Sequence, residues 1–203
     1  MLSPDALPLV GLFSHRSRLL GPQDHLAQFY SDKALLLPNV CMFLRPAFES
    51  GGGMMIVARP DTCTSLMDQL KAQGLNTADA LASGQLLVLD AQTVLNSIMI
   101  NEVPDHARFS QIVGEMMASM QERFPQVRVY GEVLDLLWQM DQRTEALKLA
   151  RAWTGLGHKH KFSIFCGYQI SHPQLECSSF NGVCCSYSHI VTDDGNLRLL
   201  GSA

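Results

Sequence analysis

The sequence predicts an α/β fold, a doubly wound and mostly parallel sheet with helices on both faces. Three observations carry that expectation. Short apolar runs of strand type recur five times, stretches with apolar residues at helical spacing separate them, and several runs are apolar almost without a break. Strands buried on both faces read that way, and a strand–helix alternation sustained five times is the pattern of crossover units.

The elements follow in chain order. "HLAQFY" (25–30) is the first strand. "DKALLLPNVCMFLRPAFESGG" continues at helical spacing, and its two prolines, Pro38 and Pro46, are expected to kink or divide the helix before Gly51-Gly52-Gly53 stops it. "MMIVARP" (54–60) is a buried strand closed by Pro60, after which Asp61-Thr62 supply an N-cap for "CTSLMDQLKAQGL" with Gly74 as its stop. "NTADALASGQ" is a short helix and turn, and "LLVLD" (86–90) is the third strand. Residues 93–105 read as an irregular stretch leading to a helix over 106–123, between Pro104 and Pro125. "VRVYGEV" (127–133) is the fourth strand, "LDLLWQM" and "RTEALKLARAWTGLG" are helical, and "KFSIFCGYQ" (161–169) is the fifth strand. "GLGHKHK" (155–161) is expected to be a solvated turn, because His158 and His160 would face opposite sides of an extended chain. The organisation expected is an N-terminal arm (1–24), one domain (25–191) and a loose or edge-pairing tail (192–203).

Composition narrows the function classes. A chain of 203 residues suits one well-buried domain, and a formal net charge of −4 gives no basic surface for nucleic acid. No apolar run approaches the ~20 residues of a membrane span. The start "MLSPDALPLVGLFSHRSRLLG" lacks the basic and apolar regions of a signal peptide. The expected location is the cytoplasm, where the six cysteines would stay reduced. They lack paired CxxC spacing; Cys177, Cys184 and Cys185 with His189 form the one cluster that offers a metal or redox alternative.

The ordered set H-x-x-x-F-Y (His25 to Tyr30), "ESGGGMMIVARP", "ALASGQLLVLDA", "VRVYGEV", "FSIFCGYQ" and "VCCSYSHIV" resembles the MEDS domain, the methanogen/methylotroph DcmR-type sensory domain, over residues 25–191. The resemblance implies a degenerate relative of the RecA/KaiC ATPase core. It also implies a non-catalytic bacterial sensory domain, found as the input of transcription regulators and two-component histidine kinases, with small hydrocarbon derivatives as ligands. In that core the first strand carries the phosphate loop and the fourth an acidic residue that holds metal.

The residues at the first corner argue against ATP. A phosphate loop needs G-x-x-x-x-G-K-[ST], so that backbone amides converge and a lysine meets the terminal phosphates. No glycine lies between Gly21 and Gly51, and Gly-Lys occurs nowhere. Tyr30-Ser31-Asp32-Lys33 puts bulk and a carboxylate there instead, and Asp32 is placed to cap the next helix. With the first and fourth strands as neighbours, Glu132 would approach Tyr30, either as a ligand anchor or as a buried carboxylate satisfied by backbone or an arginine. The strand ends add Arg59, Asp90 and Tyr168. Trp138 is expected in the core, and His189 as a structural hydrogen-bonding group. The expected site is therefore His25, Phe29, Tyr30, Arg59, Glu132 and Tyr168, with no cofactor. Its partner would be a small, largely apolar molecule or a signalling protein such as a histidine kinase; residual nucleotide binding and a homo-oligomer stay open.

Overall fold

The computed structural model describes residues 7–8, 23–170, 187–191 and 196–199. Strands β1 (Leu7–Pro8), β2 (His25–Tyr30), β3 (Gly53–Ala58), β4 (Leu86–Asp90), β7 (Val127–Gly131), β8 (Ser163–Gln169), β9 (His189–Val191) and β10 (Asn196–Leu199) form one sheet in the order β1-β10-β9-β2-β8-β7-β3-β4. The pairings from β9 to β4 are parallel, and β10 pairs antiparallel with β9 and β1. A separate hairpin joins β5 (Met99–Ile100) and β6 (Val103–Pro104).

One order is corrected. The strand ending at Tyr30 does not neighbour the strand ending at Gly131: β8 runs between them, with Ala27 opposite Cys166 and Cys166 opposite Gly131. Crossover length and hand place β8 there, and neither is written in the residues of the strands themselves.

Helices α1 (Lys33–Glu49), α2 (Pro60–Ala72) and α3 (Thr77–Ala82) cover one face of the sheet, around Leu26, Tyr30, Met54, Ile56, Tyr130 and Phe165. Helices α4 (Ala91–Ile98), α5 (His106–Gln121), α6 (Val133–Gln139) and α7 (Arg143–His160) cover the other, around Ala27, Met55, Val57, Val129, Ile164 and Cys166. Alternate strand residues thus enter opposite cores, as the two-residue pleat requires.

Several local expectations change. Helix α1 is continuous through Pro38 and Pro46. Side chains take up carbonyls near the prolines: Asn39 Nδ2 and Gln28 Nε2 donate to Leu35 O, and Arg128 Nη1 donates to Phe43 O at 2.5 Å. Arg59, not Asp61-Thr62, is the N-cap residue of α2, with Pro60 behind it at the first helical position. Residues 93–105 are not irregular: α4 is capped by Asp90, whose side chain accepts from Thr93 N at 2.7 Å, and the β5–β6 hairpin follows. Its two central residues, Asn101 and Glu102, both take positive φ, the twist a two-residue hairpin demands. The stretch 155–161 is not a turn either. Helix α7 runs to His160 and stops at Lys161 in the left-handed conformation, with Lys159 in its last turn, where a cation interacts favourably with the helix dipole.

Candidate functional site

The site is built at the carboxyl edge of the sheet. β3 passes into α2 on one face, while its neighbour β7 passes into α6 on the other. Adjacent strands that part in this way open a crevice at their carboxyl ends, where ligands of open α/β sheets bind.

Here the crevice holds charge. Glu132, the residue between β7 and α6, is fully buried and turns its carboxylate back toward β3. Its Oε2 accepts from the backbone N of Arg59 at 2.8 Å and from Arg59 Nη1 at 3.3 Å, while its Oε1 accepts from the Tyr130 hydroxyl at 2.9 Å. Asp135, in the first turn of α6 and equally buried, accepts Arg59 Nη2 on Oδ2 at 2.6 Å. Its Oδ1 accepts from Gln169 N at 3.0 Å and from Gln139 Nε2 at 3.2 Å. One guanidinium thereby ties the ends of β3 and β7 to α6, and Asp135 adds the end of β8.

Burial and charge set the protonation of these groups. Burial raises the Asp135 pKa above the usual carboxylate value, and the adjoining Arg59 opposes that rise. Burial works against the Arg59 charge, yet Asp135 and Glu132 hold its pKa above the ordinary value. Tyr30 is raised by burial first, then by the negative charges of Glu132 and Asp135, so its hydroxyl keeps its proton. That hydroxyl is buried and has no hydrogen-bond partner among the described residues.

The corner behind β2 is filled from within the chain. Asp32 Oδ1 accepts from Ala34 N at 2.8 Å and caps α1, as expected from the residues. Lys33 pairs with Asp61, joining the first turns of α1 and α2.

The expected site residues do not all lie on one face of the sheet. Tyr30 lies on the α1–α3 face; Arg59 and Glu132 meet at the carboxyl edge; His25, Phe29 and Tyr168 belong to the opposite face. Tyr30 and Glu132 are enclosed rather than at the mouth of a cleft. On the far face, Phe29 and Tyr168 stack with ring centroids 5.2 Å apart, and Trp138 meets Tyr168 edge-on at 6.1 Å.

His25 forms a second polar cluster with partners distant in sequence. Its Nδ1 is 2.8 Å from Thr154 Oγ1, and its Nε2 is 3.2 Å from Cys166 Sγ. Thr154 gives its own proton to Ala150 O, so Nδ1 carries the imidazole proton and Nε2 accepts from the thiol. Tyr187 packs its ring edge-on against His25 at 4.3 Å and bonds Tyr168 through the hydroxyls. Burial lowers the His25 pKa to about 3 and raises that of Cys166, which keeps both groups neutral. A Cys–His contact of this kind is structural, since a nucleophile needs a thiolate and access.

His189 is buried and bonds Ser188 Oγ through Nδ1 at 2.8 Å. Cys177, Cys184 and Cys185 lie outside the described residues. Among the described residues no three metal-ligating side chains converge, and no helix is long and apolar enough to cross a membrane.

Two contributors were not anticipated. Asp135 is an aspartate set among Val133, Leu134, Leu136 and Leu137, and an acid inside so apolar a run was the available signal. Gly167 is the other: a Cβ on it would lie 2.6 Å from the Tyr130 hydroxyl, so only glycine leaves the path by which Tyr130 reaches Glu132.

Comparison with the curated proteins gives no match. The family model described as the MEthanogen/methylotroph, DcmR Sensory domain matches residues 24–175, the greater part of the chain. MEDS domains are non-catalytic sensory modules, and a first corner capped by Asp32 instead of opened by glycines agrees with that. The chain belongs to the MEDS family, on a RecA/KaiC-like α/β fold.

Proposed function

We propose that this domain senses a small, largely apolar molecule carrying one polar group, and passes its occupancy to a regulatory partner such as a histidine kinase. The ligand binds at the carboxyl edge of the sheet, on the α1–α3 side of the diverging strands β3 and β7, with Tyr30 as its polar contact. The observation that carries this reading is the Tyr30 hydroxyl, buried and without a partner among the described residues. Leaving such a group unpaired costs about 1–3 kcal/mol, a cost that a ligand able to bond it removes. Tyr30 belongs to the same apolar cluster as Leu36, Ala58 and Leu66, which suits a molecule with a hydrocarbon body. Arg59 and Glu132 form the wall of this site, and His25, Phe29 and Tyr168 brace the sheet from behind.

The test is a thermal-shift screen of small hydrocarbon derivatives, followed by titration of any stabilising compound into the wild type and Tyr30→Phe. Loss of one hydrogen bond to a buried group weakens affinity by about tenfold in the variant. Equal affinity for both proteins would remove Tyr30 from the site.

A further inference from the structure

The two ends of the sheet are finished differently. At one end β1 is two residues long and includes Pro8, both of which blunt an edge against further pairing. At the other end β4 is five residues long, "LLVLD", and among the described residues pairs with β3 alone. Its register with β3 runs without a bulge, and it carries neither proline nor lysine. Its one charge, Asp90, stands at the end and caps α4. Leu87, Val88 and Leu89 are half-buried. The segments outside the described residues adjoin β1, β2, β8, β9 and β10, and none adjoins β3 or β4. Met54 N donates to Gln85 O, so by the alternation of a strand Gln85, Leu87 and Leu89 turn their backbone groups toward β3. Leu86, Val88 and the Asp90 N–H turn outward, where no described strand meets them.

We infer that β4 pairs antiparallel with β4 of a second copy of this chain, about a two-fold axis that passes through Val88 normal to the sheet. That axis sets Val88 opposite itself, Leu87 opposite the partner's Leu89, and Leu86 opposite the partner's Asp90. Val88 exchanges both backbone bonds across the axis, and Leu86 O accepts from the partner's Asp90 N; Asp90 O, as the N-cap carbonyl, belongs to α4. No like charges face each other, and the central pairs are apolar on both faces. The α5 side explains why the occupant is a second copy. A cavity of about 390 Å³ runs beside β4 there, lined by Leu87, Met116, Met120 and Phe124 and bordered by exposed Glu115 and Arg123. Arg123 Nη2 donates to Ser83 O, which fixes the positive charge at the amino end of β4. Helix α5 returns from the carboxyl side to enter β7, and Glu115 lies about 12 Å back along it at ~1.5 Å per residue. From Leu86 to Asp90 the strand spans about 13 Å at ~3.3 Å per residue, so the two charges bracket it. A two-fold through its centre brings each Arg123 toward the partner's Glu115, one pair at either end of the joined cavities. Met116 and Met120, unbranched and adaptable, fill the space between. On the other face exposed Leu81, whose carbonyl accepts from Gly84 N just before β4, extends the apolar border.

The test is sedimentation equilibrium of the full chain over a concentration series at low salt. Wild type is compared with Val88→Pro, Glu115→Arg, Arg123→Glu and the swap Glu115→Arg/Arg123→Glu. Wild type sediments at twice the chain mass at tens of micromolar. Each single reversal sets like charges against each other across the axis and raises the dimer Kd by about tenfold. The swap restores it to within about threefold, because the complementary pair is re-formed with its ends exchanged. Val88→Pro removes an outward N–H on an edge strand, so circular dichroism stays that of wild type while the dimer is lost. The reversals stand at exposed positions and decide the matter by themselves should the proline variant misfold. A wild type that stays monomeric, whether or not a foreign strand binds it, overturns the inference. So does a dimer whose Kd neither reversal moves, or one that the swap leaves as weak as the single variants.

Discussion

The Tyr130 hydroxyl donates to Glu132 Oε1 at 2.9 Å through space that exists because residue 167, on the next strand, has no side chain. The two residues lie on one strand end, two positions apart, and their bond holds the carboxylate where Arg59 meets it. Gly167→Ala therefore strikes the site without touching a charge. The added methyl overlaps the hydroxyl and forces Tyr130 off Glu132, an overpacking that costs about 2 kcal/mol. Denaturant unfolding checks this, and the double variant Gly167→Ala/Tyr130→Phe should recover part of the loss.

Among the described residues, Arg59 is the single cation that binds both buried carboxylates. Arg59→Met leaves them uncompensated and is expected to cost about 3 kcal/mol at neutral pH, at the lower end for a broken buried pair because Arg59 reaches solvent. Asp135→Asn in the same background should restore stability. A double-mutant cycle on Arg59 and Asp135 measures the coupling, and additive losses would show that the pair contributes little.

His25 supplies a pH signature. Its folded pKa is depressed to about 3, below the unfolded value of 6.5, so the unfolded chain binds the extra proton first. The stability His25 contributes is complete above pH 6.5 and falls as pH drops toward 3, by about 1.4 kcal/mol per unit. Asp135, whose folded pKa is raised, acts with the opposite sign in the acid range. The difference between wild type and His25→Asn isolates the histidine: unfolding free energies should diverge in slope below pH 6.5 and run parallel above it.

The first corner predicts silence toward nucleotide. Asp32 occupies the Ala34 amide that a phosphate would need, so calorimetric titration with Mg-ATP should give no binding heat. Asp32→Ala should lower stability by about 1 kcal/mol through loss of the cap, without creating affinity. Micromolar ATP binding abolished by Glu132→Ala would contradict this.

What could be read in the chain follows the range of the interactions. Strands declared themselves as apolar runs, and the absence of glycine with the presence of Asp32 told how the first corner ends; both are local signals. The neighbour of β2 is a matter of how β8 returns across the sheet, so Tyr30 and Glu132 were placed beside each other one strand too close. The last turn of α7 reads as a solvated turn in the sequence because His158 and His160 would face opposite sides of an extended chain, whereas the helix continues through both. His25 and Cys166 meet across 141 positions, and no spacing within either segment announces the contact.

The central claim is that Tyr30 waits for a ligand at the carboxyl edge. A crystal structure of the full chain grown with a stabilising compound from the thermal-shift screen tests it most directly. The account predicts non-protein density within about 3 Å of the Tyr30 hydroxyl, present with the compound and absent from crystals grown without it. A hydroxyl bonded to a protein group, or the same lone water in both crystals, would contradict it.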